Sequence, residues 1–273
     1  ATNEVGGTGA AGTVKDIDKA VAAAKESYKA RTWLKMAPRK RMSIMMKFSD
    51  LVKKNTAELA LLDSLNMGKP ISDCVSVDVP ASAVTIRFMA ECIDKIYGKV
   101  ANTHEKALNL SIREPYGVVG LISPWNYPLL MGVWKLAPAL AAGNSIVLKP
   151  DEHSPHSLIK LAQLFVEAGG PPGVFNVVSG HGEEAGQALA LHQDVSKIGF
   201  TGSTEVGKLL LQYAGQSNMK KVSLETGGKS PMIYFADLPD MDLAVETAYD
   251  SIYANMGEVC NAGSRIYVER SIY

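Results

Sequence analysis

Four short, largely apolar runs set the terms for this chain: Val118 to Ile122, Ser145 to Leu148, Val174 to Val178 and Lys197 to Phe200. Each is too short for a buried helix, and none alternates with polar residues as a half-solvated strand does. Strands apolar on both sides belong in a parallel sheet with helices over both faces. The runs begin at 118, 145, 174 and 197, and the gaps hold the crossover helix that a parallel pair requires. One such helix spans Pro155 to Ala168, opening on Ser154-Pro155 and closing on Gly169-Gly170-Pro171. The expected class is therefore α/β, with a Rossmann-like parallel sheet over about 107–225.

Before residue 107 the period is helical. Thr13 and Asp16 read as a capping box for a helix carrying Ile17, Ala20, Val21, Ala24 and Tyr28 on one face. A second helix starts at Pro38 and runs to about Lys54, with Met42, Met45, Phe48 and Val52 apolar on one face. Asn55 with Glu58 predicts the cap of a third, stopped by Gly68 and Pro70. A fourth is expected over Ala81 to Tyr97. These four helices should pack beside the sheet. Leu108, Leu110 and Ile112 then alternate with polar residues as a one-sided strand, whose free edge would seek a partner.

Composition excludes several functions. Lysine plus arginine equals aspartate plus glutamate at 28 each, so no global field draws in nucleic acid or anionic lipid. Cys74, Cys92 and Cys260 form an odd set without Cys-x-x-Cys spacing, which argues against a disulfide framework or a zinc knuckle and for a reducing compartment, cytoplasm or an organelle matrix. Residues 1–13 carry no basic-then-apolar signal pattern. The longest apolar run, Leu129 to Ala142, is interrupted by Lys135 and Pro138 and is too short to cross a bilayer.

Open parallel sheets bind ligands at the C-terminal ends of their strands. Those ends read Ser123-Pro124-Trp125-Asn126-Tyr127-Pro128, Lys149-Pro150-Asp151-Glu152, Thr201-Gly202-Ser203-Thr204 and Leu224-Glu225-Thr226-Gly227-Gly228-Lys229. Gly202 to Lys208 nearly matches a phosphate-cradling loop, but Leu209 stands where that motif needs a hydroxyl. A helix N-terminus packed on a strand fits as well and leaves amides for a pyrophosphate. As charges alone, Lys149 and Glu152 read as an exposed pair at a helix start. Glu225, between Leu224 and Gly227-Gly228, predicts a tight site whose burial would raise its carboxyl toward a useful base. The Asn126 amide, held by bulky neighbours, suits an oxyanion donor or a simple turn. His153 and His156, split by Pro155, read as a loop and not as a metal site. Cys260 sits in the polar, glycine-flanked turn Gly257 to Arg265, a setting for a reachable thiol.

Pro124-Trp125-Asn126, Leu148-Lys149-Pro150 with Glu152, Phe200-Thr201-Gly202-Ser203 with Gly207, Leu224 to Lys229, and Gly257-x-x-Cys260 occur in one order, and in this the chain resembles the NAD(P)-dependent aldehyde dehydrogenase superfamily. Within it the likeness is greatest to amino-aldehyde, betaine-aldehyde and γ-glutamyl-γ-aminobutyraldehyde dehydrogenases. The resemblance implies that Cys260 attacks an aldehyde, that Asn126 and the Cys260 backbone N–H hold the oxyanion, and that Glu225 activates the hydrolytic water. It places Trp125, Lys149, Glu152, Gly202 and Ser203 against NAD, with NADP as the variant, and Tyr127, Met131 and Trp134 along the aldehyde tunnel. It implies homo-oligomers in full-length relatives. Those relatives continue for about as long again, so residues 226–273 are expected to begin a catalytic domain that this stretch does not complete. The alternatives are a catalytically silent NAD-binding fragment or interaction module and a CoA-acylating enzyme, the last disfavoured by Glu225.

Overall fold

The structure is a computed structural model that describes residues 8–273. The expectation for residues 1–13 therefore lies partly outside the described residues. Thr13 and Asp16 form the reciprocal cap, and helix α1 (Val14–Ala30) starts there. Pro38 occupies the first turn of α2 (Pro38–Lys54), where its missing N–H costs nothing. The cap predicted at Asn55 for α3 (Thr56–Met67) is corrected: the Asn55 side chain turns back and donates to the Leu51 carbonyl at 2.8 Å, so it closes α2 instead. A short turn α4 (Ile71–Asp73) passes through a π-helical turn at Cys74–Asp78 into α5 (Val79–Glu91). The fourth helix thus ends before Tyr97. Ile93 N–H tightens onto the Ala90 carbonyl, and Lys95 Nζ takes the Glu91 carbonyl that another turn would have used.

Strands β1 (Lys99–Ala101) and β2 (Asn109–Ser111) pair antiparallel as a ribbon outside the main sheet. The expected one-sided strand is exposed on both sides, since Val100, Leu108, Leu110 and Ile112 all face solvent. The apolar runs then form β3 (Val118–Ile122), β4 (Ser145–Lys149), β5 (Phe175–Val177) and β6 (Lys197–Gly202), with β7 (Lys221–Thr226) at the edge. All five are parallel in the order β5-β4-β3-β6-β7. The connections carry α6 (Pro128–Ala141), α7 (His156–Glu167), α8 (Gln187–Leu191) and α9 (Thr204–Gln216).

The N-terminal helices do more than lie beside this sheet. Ile17, Val21 and Ala24 of α1 join Leu189 of α8 against Val118, Val147 and Ile198, covering one face. On the other face α6 and α7 lie on Val119, Leu121, Ile146 and Leu148, with α2 and α5 packed behind them. Phe165 of α7 is the hub there, meeting Trp33, Phe48 and Phe175 edge-on with ring centroids 5.7, 5.5 and 6.0 Å away. Beyond β7 a separate two-stranded parallel sheet, β8 (Pro231–Tyr234) with β9 (Arg265–Val268), is joined through α10 (Met241–Tyr253). Ile233, Leu243, Val245 and Ile266 are exposed on it.

One buried carboxyl holds the start of α6. Asp63 of α3 is 1% exposed, and its Oδ2 accepts from the Leu129 N–H at 3.3 Å. Burial pushes this carboxyl up to about 7, against the Leu129 N–H bond and the charge of Lys69, which favour its ionised form. The folded chain therefore keeps a proton that the unfolded chain releases near the ordinary value of 3.8, and stability is lost as pH rises from that value through about 7. Asp63→Asn keeps an acceptor for Leu129 and removes the ionisation. Melting followed by circular dichroism should show the variant above the native chain by about 2–6 °C at pH 8, with the gap closing at pH 4. An equal gap at both pH values would overturn this account of Asp63.

Candidate active site

The β3 C-terminus delivers Trp125, Asn126 and Tyr127 to the mouth of the sheet, where Pro128 starts α6. Asn126 is half-buried, and its Nδ2 donates to the Glu258 carbonyl at 2.6 Å, bridging the sheet to the turn that carries Cys260. The amide's second N–H stays free for another acceptor. Tyr127 is held from below: Lys69 Nζ lies 3.8 Å from its ring centroid and 2.6 Å from a carboxylate oxygen of Asp78. Burial, with Asp78, Cys260 and Asp73 adding negative charge nearby, pushes the Tyr127 phenol up to about 12. It is therefore a neutral hydroxyl at physiological pH.

Two cavities open at this end of the sheet. One, of about 640 Å³, is lined by Tyr127, Met131, Trp134, Lys135 and Glu225. The other, of about 470 Å³, is lined by Trp125, Asn126, Lys149, Glu152, Gly202 and Ser203. The residues expected along an aldehyde tunnel and those expected against a dinucleotide thus separate into different cavities. Cys260 lines both. Phe200 and Thr201 of β6 form the rest of the shared wall. The Cys260 carbonyl accepts from the Gly228 N–H at 3.0 Å, and no carbonyl among the described residues accepts from the Cys260 backbone N–H.

In the second cavity the reading of Lys149 and Glu152 as an exposed pair is corrected. Lys149 is buried at the end of β4 and donates to Glu152 Oε2 at 2.7 Å. Burial raises the Glu152 carboxyl, but the Lys149 hydrogen bond and charge outweigh it, leaving the group below its ordinary value. This is a fixed carboxylate acceptor. Ser203 caps α9, its Oγ accepting from the Val206 N–H at 3.1 Å. Gly207 of α9 faces Leu224 and Thr226 of β7, where a Cβ would make ordinary contact, so the helix packs directly on the edge strand. Of the two readings of Gly202 to Lys208, the helix terminus packed on a strand is the observed one. His153 and His156 bond different partners, Asp151 and Asn66.

Glu225 departs from expectation. It is exposed, because β7 is the sheet's edge strand and nothing described here covers that side. Its Leu224 and Gly227-Gly228 neighbours signal a turn and not a tight pocket. Lys135 is the residue the sequence reading passed over as a break in an apolar run. Its amine is brought down to about 8 by burial, while Glu225 and Cys260 pull it back up. Its place on α6, four residues after Met131 and beside Trp134, was the available signal, since i and i+4 share a helix face.

The model of the aldehyde dehydrogenase family matches residues 1–273. Among curated relatives, the NADP/NAD-dependent aldehyde dehydrogenase PuuC of Escherichia coli is 51% identical, over 96% of this chain and 53% of its own length. Aminoacetaldehyde dehydrogenase of Pseudomonas aeruginosa is 43% identical, over 100% of this chain and 55% of its own. Among solved structures, the aldehyde dehydrogenase KauB of Pseudomonas aeruginosa superposes with a TM-score of 0.95 at 55% identity, covering 96% of this chain and 53% of that one. An indole-3-acetaldehyde dehydrogenase in complex with NAD+ gives a TM-score of 0.95 at 52% identity, over 96% of this chain and 53% of that one. The chain spans about half the length of the relatives it matches. With a family model matched from end to end, this chain belongs to the aldehyde dehydrogenase family.

Proposed function

We propose that the chain carries the cofactor side and the nucleophile of an NAD-dependent, aldehyde-oxidising site, with Cys260, Asn126 and Glu225 as its reacting groups. The observation behind this reading is the position of Cys260 in the shared wall of the two cavities. A thiol there can bond a carbon entering from one side while a hydride acceptor lies on the other.

The second cavity fits a dinucleotide. Lys149 and Glu152 offer a donor and an acceptor to a ribose diol, and the α9 N-terminus at Ser203 offers backbone N–H groups to a pyrophosphate. A carboxylate at Glu152 repels a 2′-phosphate, which favours NAD; the dual NADP/NAD naming of the PuuC relative keeps NADP as the variant. In the first cavity Cys260 Sγ bonds to the aldehyde carbon, and the oxyanion takes the second N–H of Asn126 and the Cys260 backbone N–H. When bound, the nicotinamide accepts the hydride that leaves this carbon, so that the sulfur is left in a thioester. Glu225 then takes a proton from water as its oxygen adds to the thioester carbon, and the carboxylic acid departs as the C–S bond breaks. Lys135 supplies positive charge beside Glu225. The relative named for aminoacetaldehyde points to a substrate of the amino-aldehyde class, and Glu225 in the cavity argues for hydrolysis over transfer to CoA.

Residues 226–273 form the start of a second, catalytic unit in this reading, after a cofactor domain over 1–225. One observation favours a second reading, a fragment that binds NAD without turnover: the apolar residues of α10, β8 and β9 are exposed, so the site lacks cover on that side. Three free cysteines fit a reducing compartment, and no described helix is long and apolar enough to cross a membrane.

NADH formation at 340 nm with NAD and aminobutyraldehyde or betaine aldehyde tests the oxidation reading. Cys260→Ala should abolish it. Glu225→Gln should release about one NADH per site and then slow by roughly 10²–10⁴-fold, with a Cys260 acyl adduct visible by mass spectrometry. Calorimetric NAD binding without NADH formation would select the fragment reading, and absence of both would overturn each. The exposed β1–β2 ribbon should drive self-association, which Leu110→Lys should weaken in light scattering. A native monomer that resists concentration would refute that prediction.

A further inference from the structure

The segment before Cys260 is strained in a way that the active-site residues alone do not explain. Asn255, Met256 and Gly257 follow α10 with φ of 50°, 60° and 81°, three consecutive left-handed residues. Glycine adopts this conformation freely and asparagine tolerates it, but methionine does not. Such a run persists only where its surroundings fix it.

What fixes it is the Asn255 side chain. Asn255 is 4% exposed, although Ala254 before it and Met256 and Gly257 after it are open to solvent. Its Nδ2 donates to the Asn126 carbonyl at 3.0 Å and to the Glu258 carbonyl at 3.2 Å. Asn126 Nδ2 donates to the same Glu258 carbonyl at 2.6 Å, and the Glu258 N–H returns to the Asn255 carbonyl at 3.0 Å. The two amides thus close on one carbonyl, two residues before the thiol. On its other side, among the described residues, the Cys260 carbonyl is held by the Gly228 N–H at 3.0 Å. The thiol hangs between these two tethers, and the one on the Asn126 side is made by Asn255 together with the Asn126 amide itself.

We propose that Asn255 is a positioning residue: its amide clasps the β3 exit loop to the nucleophile turn and so sets Cys260 against the Asn126 amide. This rests on the aldehyde-oxidising reading of the same site. Asn255 lines neither of the two cavities. Its effect travels through Asn126 and the Glu258 carbonyl.

The competing explanation is that Asn255 is present only because asparagine accepts a left-handed backbone. Two variants separate these. Asn255→Gly keeps the backbone freedom and loses the amide. Asn255→Asp keeps the shape and loses both donated bonds, and its volume guards against collapse of the glycine variant. Hydrogen exchange of residues 255–260 in the whole chain is the first readout. Both variants should exchange about tenfold faster or more in this segment, with β3 to β6 unchanged. The second is aldehyde oxidation, where kcat should fall about tenfold with KM held within about threefold, as expected for lost alignment and not lost binding. Native-like exchange in the glycine variant would overturn the clasp. Exchange is read without turnover, so a chain that binds NAD but never makes NADH counts against the oxidation reading alone.

Discussion

A parallel strand cannot return to its neighbour through a tight turn, and most of this molecule follows from that constraint. Each crossover must climb back over a face of the sheet, so both faces need apolar helices and every strand ends at the same rim. Val118 to Ile122 lies buried along its whole length because β4 and β6 flank it and helices cover both its sides. The loops that leave the rim are free of the ladder. They are therefore the places where Asn126, Lys149, Glu152 and Ser203 can differ from apolar filling without cost to the core.

The four runs at 118, 145, 174 and 197 made the sheet legible, because a both-sided apolar strand has few other homes. Local signals failed where tertiary contacts competed with them. Asn55 carries good capping chemistry, yet its side chain bonds the Leu51 carbonyl and not the α3 amides. After residue 91 Ile93 still packs into the core, but Ile96 and Tyr97 face solvent, and the helix ends before them. Pattern also could not say which face a helix would cover, since α1 and α2 are both amphipathic and lie on opposite sides of the sheet.

The site divides in a similar way. Residues on strand ends were readable because topology places them, and both cavities gather them as expected. Electrostatic state was not readable. Glu225 and Lys149 are both ionisable residues at strand C-termini, but β7 is an edge and β4 is flanked on both sides, so one is exposed and the other buried. Lys135 and Asp63 acquire displaced proton affinities from neighbours far away in sequence, and no window of residues contains that information.

A reaction at the junction of two cavities needs its nucleophile on an element that belongs to neither sheet edge nor helix. No residue of α6 lines the second cavity, so a cysteine on that helix would reach only the first. Placing it on a turn solves the access problem but introduces another, since a turn held by few backbone bonds wanders. Left-handed residues at 255–257 redirect the chain sharply after α10, and a conformation that strains Met256 stays occupied only when something nearby prefers it. The buried Asn255 amide, bonded to the carbonyls of Asn126 and Glu258, is that preference. The same bonds that stabilise the strained turn tie the Cys260 turn to Asn126, so under the proposed function local backbone strain and the alignment of thiol and oxyanion donor have a single physical origin.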